Sequence, residues 1–274
     1  MPLLTTHDGL TLAYERSGTG TPVLFAHANG FCKELWRPIE RLLDDVDAVA
    51  LDQRGHGSSQ VGPPPFDWWD LGRDVLCAVD TLALGAPRVG VGHSSGGAAL
   101  AMSEILRPGT WARLVLIEPI IYPGPYGRGE DHPLVLGALR RREALSTRGD
   151  TRAWFAGRGP FARWTAETLD LYVEHGFRDG ADGARHLACA PQTEAEFYRT
   201  ATTHRAWDRL GEVVCPVAVV VGADSTTHPA EFARFLTGRF PRGGLVSVVG
   251  GTHFVPMERP EAVAEAIRDA VGVG

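Results

Sequence analysis

The sequence predicts an α/β fold in which a mostly parallel central sheet is flanked by helices and interrupted by one inserted segment. Three observations carry this. Apolar, β-branched runs alternate with stretches at helical period along most of the chain. One strand-to-helix passage, GVGHSSGGAAL (90–100), is pinched by glycines. Between residues 122 and 207 the alternation stops and the character of the sequence changes. With 274 residues, 44% of them apolar and 22% charged, the chain can bury a full core as one large domain carrying an insertion.

The elements follow in order. LTLAYERSG (10–18) alternates as an edge strand does, and TPVLFAH (21–27) is a buried apolar run. WRPIERLLDDV (36–46) reads as a helix, VDAVALD (46–52) as a strand, and LGRDVLCAVDTLALG (71–85) as a helix closed by glycine. APRVGV (86–91), the helix after GHSSG, and ARLVLIEP (112–119) continue the alternation. After the interruption, PVAVVVGAD (216–224) and GGLVSVVGG (243–251) are strands and PEAVAEAIRDAVG (260–272) is the last helix. Strands separated by helices imply a parallel sheet covered on both faces, with ligands bound beyond the strands' carboxyl ends.

Residues 1–121 and 208–274 thus form the core, and 122–207 are expected to be a helical cap inserted into it. The insertion opens with YPGPYGRGEDHP, carries several short helical patterns, and is too long to be structureless in a compact domain. Trp154 and Trp164 are its candidates for a substrate pocket; the alternative is that they fill the cap's own small core.

A net charge of −6 without a basic run argues against nucleic acid as a partner. The start of the chain lacks the n- and h-regions of a signal peptide, and no apolar stretch reaches the roughly 18 residues of a membrane span. Cys32, Cys77, Cys189 and Cys215 are far apart and show no metal-ligand spacing, as reduced thiols do. The expectation is a cytoplasmic monomer or homodimer that acts on a small molecule, with no membrane partner.

GHSSG (92–96) lies between a β-branched run and a small-residue helix, the setting in which G-x-S-x-G is a nucleophile elbow. Together with FAHANGF (25–31), LDQRGHGSS (51–59) and GGTHFVPMERPE (250–261), it resembles the α/β-hydrolase superfamily on both sides of the insertion. The motifs that carry the resemblance do not extend into the cap. The resemblance implies the α/β-hydrolase fold and serine chemistry, and leaves the substrate open. It makes Ser94 the nucleophile and His253 the base. It puts the oxyanion on the backbone amides of Ser95 and Asn29, where HAN replaces the commoner H-G-x. His93 packs beneath the elbow in similar proteins, and Asp52 and Arg54 are read as structural, holding the turn beside the site.

The acid has two candidates. Most relatives carry it in a G-x-x-D-x-x-x-P pattern; here Gly222 and Pro229 have the right separation, but Ser225 holds the acid's position and Asp224 comes one residue early. Glu118 ends the preceding core strand, and a carboxylate there is costly to bury without a partner. Zearalenone-type lactonases are relatives that draw a glutamate from this strand, which favours Glu118 over Asp224. The expected activity is cleavage of a carboxylic ester or lactone through an acyl-enzyme, with no metal or organic cofactor. The alternatives are a C–C hydrolase of vinylogous diketones and a low-turnover, ligand-sensing hydrolase-like protein. A serine rather than an aspartate at position 94 argues against epoxide hydrolases and haloalkane dehalogenases.

Overall fold

A computed structural model describes residues 1–124 and 129–272; positions 125–128 of the YPGPYGRGEDHP stretch lie outside them. The first half of the chain comprises β1 (Leu3–Thr5), β2 (Thr11–Gly18), β3 (Thr21–Ala26), α1 (Arg37–Glu40), β4 (Val46–Leu51), α2 (Trp69–Thr81), β5 (Val89–His93), α3 (Ser95–Leu106) and β6 (Arg113–Ile117). The segment that follows holds α4 (Pro133–Leu139), β7 (Ala144–Leu145), α5 (Arg148–Phe155), α6 (Ala166–His175), β8 (Phe177–Asp179), β9 (Arg185–Leu187) and α7 (Pro191–Thr200). The chain ends with β10 (Val217–Gly222), α8 (Ala230–Thr237), β11 (Gly243–Val248), α9 (Val255–Glu258) and α10 (Pro260–Val271).

Among the described residues, the main sheet has eight strands in the order β1-β2-β4-β3-β5-β6-β10-β11. β1–β2 and β2–β4 pair antiparallel and every other pair is parallel. Chain order reverses around β3, so the loops after β3 and β5 leave the same edge of the sheet side by side, the crevice in which open α/β sheets bind ligands. The two-residue period of a strand feeds two cores. β3 sends Leu24 into the layer under α2, α3 and α8, and Val23 and Phe25 into the layer under α1 and α10. Val219 and Val221 of β10 join the first layer and Val220 the second.

Three expectations are corrected. WRPIERLLDDV is only briefly α-helical: a 3-10 turn over Lys33–Trp36 leads into the four residues of α1. Hydrogen bonds tighten to i→i−3 at Leu42 and Leu43, and Asp45 at φ 53° turns the chain into β4. α2 stops before Gly85: Ala83, at φ 47°, takes the left-handed position, and Leu84 N–H closes onto the Val79 carbonyl. The insertion is not wholly helical, since β7, β9 and β8 form a small antiparallel sheet. Its apolar residues, among them Phe155, Trp164, Tyr172 and Phe177, cluster with Phe31, Cys32 and Leu35 of the loop after β3. All four cysteines are free, three of them buried. Among the described residues no helix is long and apolar enough to cross a membrane.

Candidate active site

Ser94 sits between β5 and α3 at φ 56°, ψ −112°, a conformation that costs of order 1–3 kcal/mol outside glycine. The turn is pinned: Ser94 N–H donates to Ile117 O at 2.9 Å, and Ser94 O accepts from Ile120 N–H at 3.1 Å. The flanking glycines are steric necessities. A Cβ on Gly96 would overlap the Ala26 carbonyl, and one on Gly92 would lie 2.5 Å from the Gly96 backbone.

His253 follows β11 in a loop clamped by buried Glu258, which accepts both the N–H and the hydroxyl of Thr252 at 2.7 Å. His93, fully buried beneath, donates from Nε2 to the His253 carbonyl at 2.8 Å. Burial pushes the pKa of His93 down to about 3, so this ring is neutral. Held this way, His253 presents Nε2 to Ser94 Oγ at 3.2 Å and Nδ1 to Glu118 Oε2 at 3.1 Å.

Glu118 is fully buried and, at φ 48°, just past the end of β6. Its Oε1 accepts the Gly222 N–H at 2.9 Å; its Oε2 accepts the Ser225 hydroxyl at 2.8 Å and faces His228 Nδ1 at 2.8 Å. Burial alone would raise its pKa, but the hydrogen bonds from His228 and His253 prevail and bring it down to about 2. Asp224, the alternative, points elsewhere. Its half-exposed carboxylate pairs with Arg163 at 3.1 Å, because one residue's shift along the turn turns the side chain toward the insertion. Sequence reasoning missed His228, although a histidine just before Pro229, inside the acid loop, was a visible signal. Ser225, at the position the acid vacates, serves as a donor to Glu118.

In the loop after β3, the Asn29 side chain is occupied. It donates to Glu194 O at 3.1 Å and its Oδ1 lies 2.9 Å from His56 Nε2. The Asn29 backbone N–H meets no acceptor among the described residues, and Ser95 N–H, at the first position of α3, belongs to the donors a helix leaves unpaired. Ser95 Oγ accepts from Gln53 Nε2 at 3.1 Å, and Gln53 also donates to His27 O, tying the two loops together. Asp52 accepts from Lys33 N and Ser58 N, at 2.8 and 2.9 Å, and Arg54 forms a bidentate pair with Asp74 at 2.7 Å; both hold the turn.

A cavity of about 650 Å³ opens over Ser94 and His253. Phe31, Trp68, Ile120, Leu134, Phe155 and Phe161 give it apolar walls, and the ion-paired Arg141 and Glu194 give it one polar corner. Neither Trp154 nor Trp164 is among its lining residues. Trp154 lies at the surface, with the guanidinium groups of Arg142 and Arg158 over its ring at 4.7 and 4.1 Å from the centroid. Trp164 is buried behind the wall against Phe31, Phe161, Tyr172 and Phe254. Glu118, His228 and His253 also bring three ligand-type atoms within 4.8 Å of one another. Their 2.8 and 3.1 Å nitrogen–oxygen separations are hydrogen-bond distances, shorter than the roughly 3.3 Å ligand–ligand edge of a tetrahedral zinc site.

Comparison with known proteins agrees with the architecture. A family model described as Alpha/beta hydrolase family matches residues 23–266. The (E)-2-((N-methylformamido)methylene)succinate hydrolase of Acinetobacter baylyi is 24% identical over 265 residues, covering 94% of this chain and 93% of that protein. The 2-(acetamidomethylene)succinate hydrolase of Mesorhizobium japonicum is 27% identical over 270 residues, covering 96% and 92%. The crystal structure of an E-2-(acetamidomethylene)succinate hydrolase superposes with a TM-score of 0.82 at 25% identity, covering 99% of this chain and 98% of that one.

Proposed function

The chain belongs to the Alpha/beta hydrolase family, and from that premise we propose that it is a serine hydrolase that cleaves a small carboxylic ester or lactone through an acyl-enzyme. The observation that carries the reading is the unbroken chain Ser94 Oγ–His253–Glu118, with links of 3.2 and 3.1 Å, beneath a cavity with apolar walls. A serine hydroxyl is a poor nucleophile until a base takes its proton, and His253 Nε2 is within reach of it. Ser94 attacks the acyl carbon while His253 removes its proton. Glu118, held ionised, accepts the Nδ1–H and stabilises the imidazolium as it forms. The developing oxyanion lies against the amides of Asn29 and Ser95, each donor worth about 3 kcal/mol of barrier. His253 then protonates the leaving alcohol and activates the water that releases the acid. Residues 122–207 act as the cap: Phe155 and Phe161 line the cavity from it and give it a preference for apolar acyl or alcohol groups.

An amide substrate is the second reading, favoured by the two relatives above, whose names state hydrolysis of amidomethylene succinates. One panel separates the possibilities. p-Nitrophenyl esters, lactones, thioesters, secondary amides and vinylogous diketones are assayed side by side with wild-type protein and Ser94→Ala. The proposal expects the highest kcat/KM among esters or lactones and none with the variant. Amides or diketones turned over in preference to every ester would overturn it.

A further inference from the structure

His228 reaches the site from the loop between β10 and α8 and is 1% exposed. Its ring nitrogens both face oxygens. Nδ1 lies 2.8 Å from Glu118 Oε2, and Nε2 lies 3.0 Å from the Pro119 carbonyl. A carbonyl and an ionised carboxylate can only accept, so with Glu118 ionised each His228 nitrogen is placed to donate. The other donors around Glu118 fit a carboxylate there. Gly222 N–H donates to Oε1, and the Ser225 hydroxyl, which accepts the His228 backbone N–H, gives its own proton to Oε2.

Other buried histidines differ. His27 and His204 each accept a backbone N–H at one ring nitrogen, from Gln53 and Ala206, and are therefore neutral. His56 faces two oxygens, but both belong to uncharged amides, and burial pushes its pKa down to about 3. What His228 has, and they lack, is a full carboxylate charge 2.8 Å away.

Resting on the reading of Ser94, His253 and Glu118 as a catalytic triad, we propose that His228 is a positioning residue: a buried imidazolium that clamps Glu118 and keeps His253 free to act as a base at lower pH than Glu118 alone would allow. Glu118 holds its orientation between two imidazole N–H groups. The His228 and His253 rings lie nearly parallel, their planes 8° apart and their centroids 6.4 Å apart, so a charge on one disfavours a second charge on the other. The groups facing the pair are few. Tyr122, 5.8 Å away, and Phe232 of α8, 5.4 Å away, cover the His228 ring, and the neutral His93 lies 5.2 Å from His253. The Asp224 carboxylate is turned away to Arg163. Glu118 is thus the anion that His228 and His253 share.

Two measurements test this. In wild-type protein, histidine side-chain ¹⁵N–¹H NMR from pH 6 to 9 should show both His228 nitrogens in the protonated, imidazolium range throughout. A deprotonated-type nitrogen on His228 at pH 7, with the shared proton on Glu118 instead, would overturn the proposal. In His228→Asn, which keeps a neutral donor toward Glu118 but no charge, the rate of Ser94 labelling by a fluorophosphonate is followed against pH. Its acidic limb should move upward by on the order of one pH unit relative to wild type. A folded variant with an unmoved limb contradicts the proposal, and if the variant does not fold, the NMR result decides. Absence of any Ser94 labelling in wild-type protein would instead remove the triad reading, while the NMR result still reports the state of His228.

Discussion

At Glu118 a carboxylate is buried where burial alone would raise its pKa, and the hydrogen bonds from His228 and His253 reverse that shift. The consequence for stability has a sign. The folded-state pKa, near 2, is below the unfolded carboxylate value, so Glu118 contributes stability above about pH 4.5 that is lost as the pH falls toward 2. The difference in urea-unfolding free energy between wild type and Glu118→Gln should therefore shrink across that window. In activity, Glu118→Gln should lower kcat by about 10³- to 10⁴-fold, while Asp224→Asn should change it by less than about 3-fold. The reverse ranking would return the acid to Asp224. That Ser94, His253 and Glu118 would meet was legible because each follows the carboxyl end of a strand whose direction the sequence dictates. Asp224 misled because one residue of register inside a tight turn redirects a side chain. His228 carried a local signal, its place just before Pro229, but not its partner, since its meeting with Glu118 depends on how two loops 110 positions apart fold over the same strand ends.

Among the elements, the passage from β5 to α3 leaves the least freedom. Gly96→Ala would drive a methyl group into the Ala26 carbonyl, and neither β3 nor α3 can retreat without breaking the sheet or the elbow. A loss of about 3 kcal/mol in chemical denaturation is expected, with activity lost alongside. Gly137, inside α4, is the counterexample: an added Cβ meets nothing within 4 Å, and its backbone is ordinarily helical. Gly137→Ala should stabilise by about 0.5–1 kcal/mol in the same assay. The long alternating runs of the core strands were legible because period and composition agree there. The end of α2 was not, because Ala83 adopts the left-handed position that the sequence assigns to glycine. The brevity of α1 was likewise hidden, because 3-10 turns share the apolar spacing of a short α-helix.

For the whole molecule, one sheet brings Ser94, His253 and Glu118 together, and the insertion adds Leu134, Phe155 and Phe161 to cavity walls that the core begins with Phe31, Trp68 and Ile120. Phe155→Ala or Phe161→Ala should raise KM for long-chain or aromatic esters several-fold with a smaller change in kcat, whereas Trp154→Ala should leave both within about 2-fold. The aromatic content of residues 122–207 was readable, but not which rings face the cavity. That depends on the small sheet β7-β9-β8 and on how the insertion's core joins Phe31, neither of which has a local signature. Mass-spectrometric mapping of a fluorophosphonate adduct tests the Ser94–His253–Glu118 chemistry. One adduct is expected, on Ser94, absent from Ser94→Ala and formed at least about 100-fold more slowly in His253→Ala and Glu118→Gln. An adduct on another residue, or wild-type labelling rates in those two variants, would contradict it.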